Sequence, residues 1–125
     1  MTIAQILQKC STLPDLPIVV ECKDSFIYDG SSPYDLDSYR GRYDELAIGV
    51  TKNSSMLLYD FSAKMRESTD KSYYGYKGEE PYHMYNDTFV WLAMHGDHLT
   101  GLMVTDIYLS SNKETIRLVA IKNDL

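Results

Sequence analysis

The order of apolar and polar residues predicts a helix followed by a strand at the start of the chain. Apolar side chains recur at helical spacing between Ile3 and Cys10, and Thr2 is a residue type that caps helices, so residues 2–12 are expected to form a short helix. Prolines end it in a turn. Residues 18–22 are mainly β-branched, which predicts the first strand.

The middle of the chain predicts further strands and a second helix. Residues 36–43 and 45–51 are expected to form a pair of strands or one bent strand, because large apolar residues alternate with smaller ones in the second range. The sequence Asn-Ser-Ser at residues 53–55 is typical of a helix N-cap. The helix is expected to continue to about Glu67.

The last part of the chain predicts three strands after a loop. Residues 71–88 have no clear period and contain glycines, a proline and several tyrosines, so we expect an ordered loop that includes a short strand. Small domains often place function in such a loop. Strands are expected over residues 88–94, 102–109 and 115–121, with a hairpin turn at residues 110–113.

Together these elements predict an α+β fold. Their order, α-β-β-β-α-β-β-β, is typical of a mainly antiparallel sheet of about five to six strands with two helices packed on it. The 125 residues are expected to form a single domain over residues 1–125. The sequence has no apolar run of bilayer length and no secretory signal pattern, so we expect a cytoplasmic protein with no membrane partner.

The charge of the chain is negative and unevenly distributed. Twelve bases and eighteen acids give a net charge of −6, which argues against non-specific binding of nucleic acid. Residues 15–37 hold one base, Lys23, and six acids: Asp15, Glu21, Asp24, Asp29, Asp35 and Asp37. Residues 64–77 hold two acids and four bases: Lys64, Arg66, Lys71 and Lys77. Both stretches are compatible with solvated faces, and a local cationic pocket for a small anion stays open.

Tyrosine is the least ordinary feature of the composition. Ten of the eleven tyrosines fall between Tyr28 and Tyr85. Tyrosine combines a rigid apolar ring with a polar tip, so it serves cores, interfaces and pockets for flat ligands. Isolated tyrosines are ordinary strand residues, but that explanation fits less well for a cluster among glycine and proline: Tyr73, Tyr74, Tyr76, Tyr82 and Tyr85.

Three separated blocks, at residues 38–43, residues 75–78 and Trp91, together combine cations with aromatic rings. In the first, residues 38–43, an extended chain places Arg40 and Arg42 on one face and two tyrosines on the other. Arginine binds phosphate through two parallel hydrogen bonds, and aromatic rings stack on bases. The blocks therefore predict a site for a small anionic, nucleotide-like ligand, formed by Tyr39, Arg40, Arg42, Tyr43, Tyr76, Lys77 and Trp91.

A purely structural role for the same blocks stays open. The arginines of residues 38–43 have acidic neighbours in the sequence, and Arg40 buried against Asp44 or Asp87 would explain the block with no ligand at all. In the second block, residues 75–78, a lysine flanked by glycines is also common in an ordinary turn.

Metal and catalytic chemistry have little support in the sequence. Cys10 and Cys22 are expected to be free, buried thiols in a reducing compartment. The sequence His-Gly-Asp-His at residues 95–98 is expected to form a hairpin turn, and catalytic or phosphate-loop motifs are absent from the chain. We therefore expect no metal, no cofactor and no catalytic residue. The alternative is a small hydrolase that uses a histidine: His83, His95 or His98.

Residues 38–47, Ser-Tyr-Arg-Gly-Arg-Tyr-Asp-Glu-Leu-Ala, resemble part of a family of small phage and prophage proteins. In that family a SYRGxYDELA block is followed by a helix, a GYKGG block and a DTxVW block. This chain matches in order, with Gly-Tyr-Lys-Gly at residues 75–78 and Asp-Thr-Phe-Val-Trp at residues 87–91. It departs from the pattern at three positions: Arg42, Glu79 and Phe89.

The resemblance implies a phage protein that acts in the cytoplasm of an infected bacterium, where such proteins often inhibit host defence. The family has no settled activity, so it supplies no catalytic residues. The first hypothesis is sequestration of a small anionic ligand, such as a cyclic nucleotide, without turnover. The alternatives are an acidic protein–protein inhibitor of a host defence or nucleic-acid-binding protein, and a nucleotide hydrolase. Exposed tyrosines and a sheet edge are also compatible with a homodimer.

Overall fold

The computed structural model describes residues 1–23, 25–74, 81–94 and 100–123. The elements in these residues are, in order, α1 (Ile3–Cys10), β1 (Ile18–Cys22), β2 (Ser32–Tyr39), β3 (Arg42–Thr51), α2 (Leu58–Glu67), β4 (Ser72–Tyr74), β5 (Pro81–His83), β6 (Val90–Ala93), β7 (Leu102–Leu109) and β8 (Ile116–Lys122).

Six strands form one curled, mixed sheet in the order β1-β8-β7-β6-β3-β2, and β4 pairs with β5 in a second, two-stranded sheet. In the large sheet, β1 pairs with β8 and β3 pairs with β6 in parallel, whereas the other neighbours are antiparallel. The predicted α+β fold with two helices is confirmed. The sequence pattern does not reveal the parallel pairs, because each joins strands that are distant in the sequence and need a crossover.

The large sheet curls until its two outermost strands meet. The backbone N–H of Val20 in β1 donates to the carbonyl of Ser31 at 2.7 Å, and the N–H of Gly30 donates back to Val20 at 3.0 Å. Gly30 adopts a φ of +80°, a conformation that suits glycine. These bonds satisfy backbone groups at one end of an otherwise open sheet edge.

The two faces of the sheet differ in what covers them. The main core lies on the face that carries α1 and α2, where Ile3, Ile6, Leu58 and Phe61 are fully buried. A second, smaller cluster consists of Tyr39, Ala47 and Trp91, with Ala93 and Met103 packed against it. Among the described residues, no helix is both long and apolar enough to cross a membrane.

The second helix begins later than predicted. Residues 53–55 do not cap it, because the hydroxyl of Ser54 donates instead to a backbone carbonyl of β2 at 2.6 Å. Helix α2 begins at Leu58, and the carboxylate of Asp15 accepts the N–H of Tyr59 at 2.9 Å. A residue from the loop before β1 therefore caps the helix, and local sequence patterns cannot indicate such a partner.

The prediction for residues 71–88 is partly wrong. The expected loop contains one short strand, but the structure has two, β4 and β5, paired with Tyr73 opposite Tyr82. Residues 75–80, between these strands in the sequence, lie outside the described residues.

We predict that Phe61→Ala lowers the free energy of unfolding by about 3–5 kcal/mol, because Phe61 is fully buried between α2 and the sheet and its truncation leaves a cavity. Urea denaturation measures this change. The matched control is Phe89→Ala, since the Phe89 side chain is 47% exposed and should cost much less. Equal losses in the two variants would contradict the assigned core.

Candidate functional site

The β2–β3 hairpin brings Tyr39 and Arg42 together. Tyr39 ends β2, Arg42 begins β3, and the two are cross-strand partners around a turn formed by Arg40 and Gly41. Gly41 has a φ of +102°, which lets the chain reverse there. The expectation that residues 38–43 are extended is therefore wrong. Because directly paired residues project to the same side of a hairpin, Arg42 lies with Tyr39 rather than across from it.

Trp91 joins this pair from the neighbouring strand. Parallel pairing of β3 and β6 sets Trp91 beside Ala47, whose small side chain leaves room for the indole. The rings of Trp91 and Tyr39 stack with centroids 4.9 Å apart and planes 1° apart. Trp91 and Tyr39 are only 2% and 1% exposed. Neither ring is therefore open to stack on a ligand in this conformation.

Glu45 links the indole to the guanidinium. Its carboxylate accepts the Nε1–H of Trp91 at 2.7 Å and lies 4.0 Å from a guanidinium nitrogen of Arg42. The Cζ of Arg42 is 5.2 Å from the centroid of the Trp91 ring, within the range of a cation–π contact. The Arg42 side chain nevertheless stays 38% exposed. The result is a guanidinium that is held in place on one side and open to solvent on another.

The hydroxyl of Tyr39 ties the cluster to β7. It accepts the backbone N–H of Gly101 at 2.9 Å and lies 3.4 Å from the hydroxyl of Thr100. The Thr100 hydroxyl in turn donates to the carbonyl of Leu92 in β6 at 2.7 Å. The buried phenol is thus satisfied, and it fixes the start of β7 against the cluster.

A second aromatic contact lies next to the hairpin. The rings of Tyr43 and Tyr82 are 5.5 Å apart and tilted by 35°, and both residues are half-buried. Tyr73, opposite Tyr82 in the small sheet, is 5% exposed, and its hydroxyl has no hydrogen-bond partner within the described residues. Burial, followed by the charges of nearby carboxylates, Asp37 first, raises the pKa of Tyr73 to about 12.

The structure gathers part of the predicted ligand site. Tyr39, Arg42 and Trp91 form one cluster, and Tyr43 packs beside it on Tyr82. Arg40 lies in the hairpin turn and is half-buried. Two predicted residues, Tyr76 and Lys77, lie outside the described residues.

Sequence reasoning missed Tyr82 as a member of the site, and it gave Glu45 only as one of the acidic neighbours with which the arginines could pair. Glu45 belongs to the same block as Arg42, three residues further along, and that spacing is a usable signal for a pair. Tyr82 belongs to the noted tyrosine cluster, but its contact with Tyr43 depends on the position of the small sheet.

The structure describes only some of the groups considered for metal or thiol chemistry. Within residues 1–23, 25–74, 81–94 and 100–123, no group of three or more His, Cys, Asp or Glu side chains could hold a metal ion. His83 is exposed on β5, and residues 95–98, with the predicted hairpin turn, lie outside the described residues. Cys10 and Cys22 are free, and burial raises the pKa of both thiols, that of Cys22 to about 11.

A groove of about 720 Å³ lies elsewhere, between α1 and β7. Lys9 and Asp106 line it and form an ion pair at 3.1 Å. Its other lining residues are Met1, Gln5, Gln8, Thr12 and Thr105, so none of the predicted site residues contributes to it.

Comparison with known proteins adds no relative: no protein-family model matches the chain, and no curated protein or solved structure is significantly similar to it. The resemblance to phage proteins therefore stays a prediction from the sequence.

We predict that Glu45→Ala lowers the free energy of unfolding by about 1–3 kcal/mol, because it leaves the buried Nε1–H of Trp91 without its acceptor. Urea denaturation followed by the fluorescence of Trp91, the single tryptophan, measures the effect at the site itself. Glu45→Gln is the matched control, since its amide oxygen can still accept the bond. If both variants lose the same stability, the hydrogen bond is not the cause.

We predict that Tyr73→Phe is neutral or stabilising at pH 7, because the substitution removes a buried hydroxyl that lacks a partner. Tyr39→Phe is the matched control. It should cost about 1–3 kcal/mol, because it removes the acceptor of the Gly101 N–H. Thermal melts of the two variants measure the difference, and a reversed order would contradict the assignment of these hydroxyls.

The Tyr73→Phe variant also tests the pKa of Tyr73. Its folded-state value of about 12 lies above the ordinary value of 10.0, so its contribution to stability is complete below pH 10 and is lost as the pH rises toward 12. Stability measured across this range should fall less steeply in Tyr73→Phe than in the wild type. Parallel curves would show that Tyr73 titrates normally.

Proposed function

We propose that this chain is a binding protein that sequesters a small anionic, nucleotide-like ligand without turnover. The observation that supports the proposal best is the guanidinium of Arg42. It is 5.2 Å from the centre of the Trp91 ring and 4.0 Å from the Glu45 carboxylate, yet its side chain is 38% exposed. A guanidinium held in this way can donate two parallel hydrogen bonds from its outward N–H groups to a phosphate.

The contacts behind Arg42 favour binding by reducing its freedom. An exposed arginine loses rotamer entropy when a ligand immobilises it. Here Trp91 and Glu45 already restrict the side chain, so less entropy is lost on binding. Glu45 is itself engaged by the indole N–H at 2.7 Å, and its contact with Arg42 is longer. In the proposed complex, Trp91 and Glu45 are positioning residues, and Arg42 contacts the anion.

The buried rings take a different role from the one expected of them. The sequence predicts that Tyr39 and Trp91 stack on a base, but the two rings stack on each other, with their centroids 4.9 Å apart. The half-buried rings of Tyr43 and Tyr82 are the better candidates for contact with the flat part of the ligand. Arg40, in the adjoining turn, adds a second guanidinium to the same hairpin.

The resemblance to phage proteins supplies the proposed biological setting. In the cytoplasm of an infected bacterium, a protein that binds a cyclic nucleotide signal tightly lowers the free concentration of that signal. Host defence that depends on the signal is then inhibited by mass action, and no catalytic group is required.

We predict that calorimetry with a panel of cyclic and linear nucleotides detects at least one ligand at micromolar protein concentration. The same ligand should change the fluorescence of Trp91, because Arg42 lies over the indole. Arg42→Gln should weaken binding at least about tenfold, since it removes the positive charge and the paired N–H donors of the guanidinium. Arg42→Lys keeps the charge and should bind with intermediate affinity.

Lys52→Gln is the matched control for Arg42→Gln. It removes the same charge from an exposed residue just beyond the far end of β3, so nucleotide affinity should not change. Thermal melts confirm that each variant is folded. The proposal fails if no nucleotide in the panel binds the wild type, or if Arg42→Gln and Lys52→Gln bind equally well.

A further inference from the structure

The segment between β1 and β2 exposes two adjacent large apolar side chains. Phe26 is 92% exposed and Ile27 is 65% exposed. Single apolar residues on a surface are common, but a phenylalanine with almost all of its side chain in water, next to an isoleucine, forms an apolar patch that gains free energy when covered.

The ends of this segment are fixed to the fold. Tyr28, the next residue, is 4% exposed and belongs to the main core. Its carbonyl accepts the N–H of Ser31 at 3.1 Å, and Gly30 and Ser31 bond to Val20 of β1. Phe26 and Ile27 are thus displayed next to an anchored turn. When a partner covers them, fewer residues of this chain lose conformational entropy than if the two side chains lay on a flexible tail.

The charge around the patch is negative. No lysine or arginine occurs between residues 25 and 37, and Asp29, in the same loop as the patch, is exposed. Asp35, further along in β2, lies 3.8 Å from Lys64 and does not contribute to the charge of the patch. Asp29 also accepts the N–H of Cys22 at 3.4 Å, which holds its carboxylate at the edge of β1. The nearest base before the segment, Lys23, lies 3.8 Å from Glu21 and is partly neutralised by it.

We propose that Phe26 and Ile27, with Asp29, form a docking surface for a protein that presents an apolar pocket flanked by lysine or arginine. Charge complementarity selects this occupant. Anionic lipid and nucleic acid are repelled by Asp29 and by the net charge of −6, and a second copy of this chain carries that same charge. Apolar side chains in pockets supply most of the energy of such an interface, and the charges steer association. This surface does not depend on ligand binding at Arg42.

Selection from a random-peptide display library on the immobilised full chain tests the proposal. Enriched peptides should combine an apolar residue with lysine or arginine. A synthetic copy of the most enriched peptide should bind the double variant Phe26→Ser, Ile27→Ser at least about tenfold more weakly than the wild type. Binding should also weaken as salt is added, and should weaken in the variant Asp29→Asn.

The matched control is Tyr85→Ser, Phe89→Ser, which removes two other exposed aromatic residues, 64% and 47% exposed, and should bind the peptide normally. Melting curves confirm that the double variant is folded. The proposal is overturned if no peptide is enriched, if enriched peptides lack basic residues, or if both double variants bind equally. It is also overturned if light scattering shows that the wild type is a dimer and that the double variant Phe26→Ser, Ile27→Ser is a monomer while the control variant is not. The patch would then belong to an interface between two copies of the chain.

Discussion

A buried indole needs a hydrogen-bond acceptor, and the acceptor that this chain supplies organises the face of the sheet opposite α1 and α2. Glu45 accepts the Trp91 N–H at 2.7 Å, although a carboxylate is costly to bury. Arg42, 4.0 Å away, offsets part of that cost and lies over the same ring. Tyr39 then covers the indole from β2. One requirement for hydrogen bonding thus fixes a cation, an anion and two rings in a single arrangement.

The parallel pairing of β3 with β6 makes this arrangement possible. It sets Trp91 beside Ala47, and the β2–β3 hairpin carries Tyr39 and Arg42 to the same place. Trp91 is nearly sealed from solvent, so the cluster stabilises the sheet whether or not a ligand binds. Structural and binding roles are therefore compatible here: the buried rings give stability, and the exposed part of Arg42 remains able to meet an anion.

The two proposed surfaces have opposite charge. The hairpin at residues 39–43 contributes guanidinium groups, whereas the loop before β2 contributes the carboxylate of Asp29 and the exposed Phe26. A small chain with a net charge of −6 can hold an anion only where cations are concentrated locally. In the two proposals, this separation of charge along the chain keeps the anionic ligand and the basic partner at different places.

The periodicity of apolar residues was enough to predict the class of fold and most of its elements, because it reflects burial directly. The sequence also singled out Arg42 and Trp91, because unusual residue types stand out in any fold. Other features are visible only in the folded chain: the parallel strand pairs, the cap of α2 by Asp15 and the burial of Tyr39 and Trp91. These features join residues that are distant in the sequence, and local patterns carry no information about which distant groups meet.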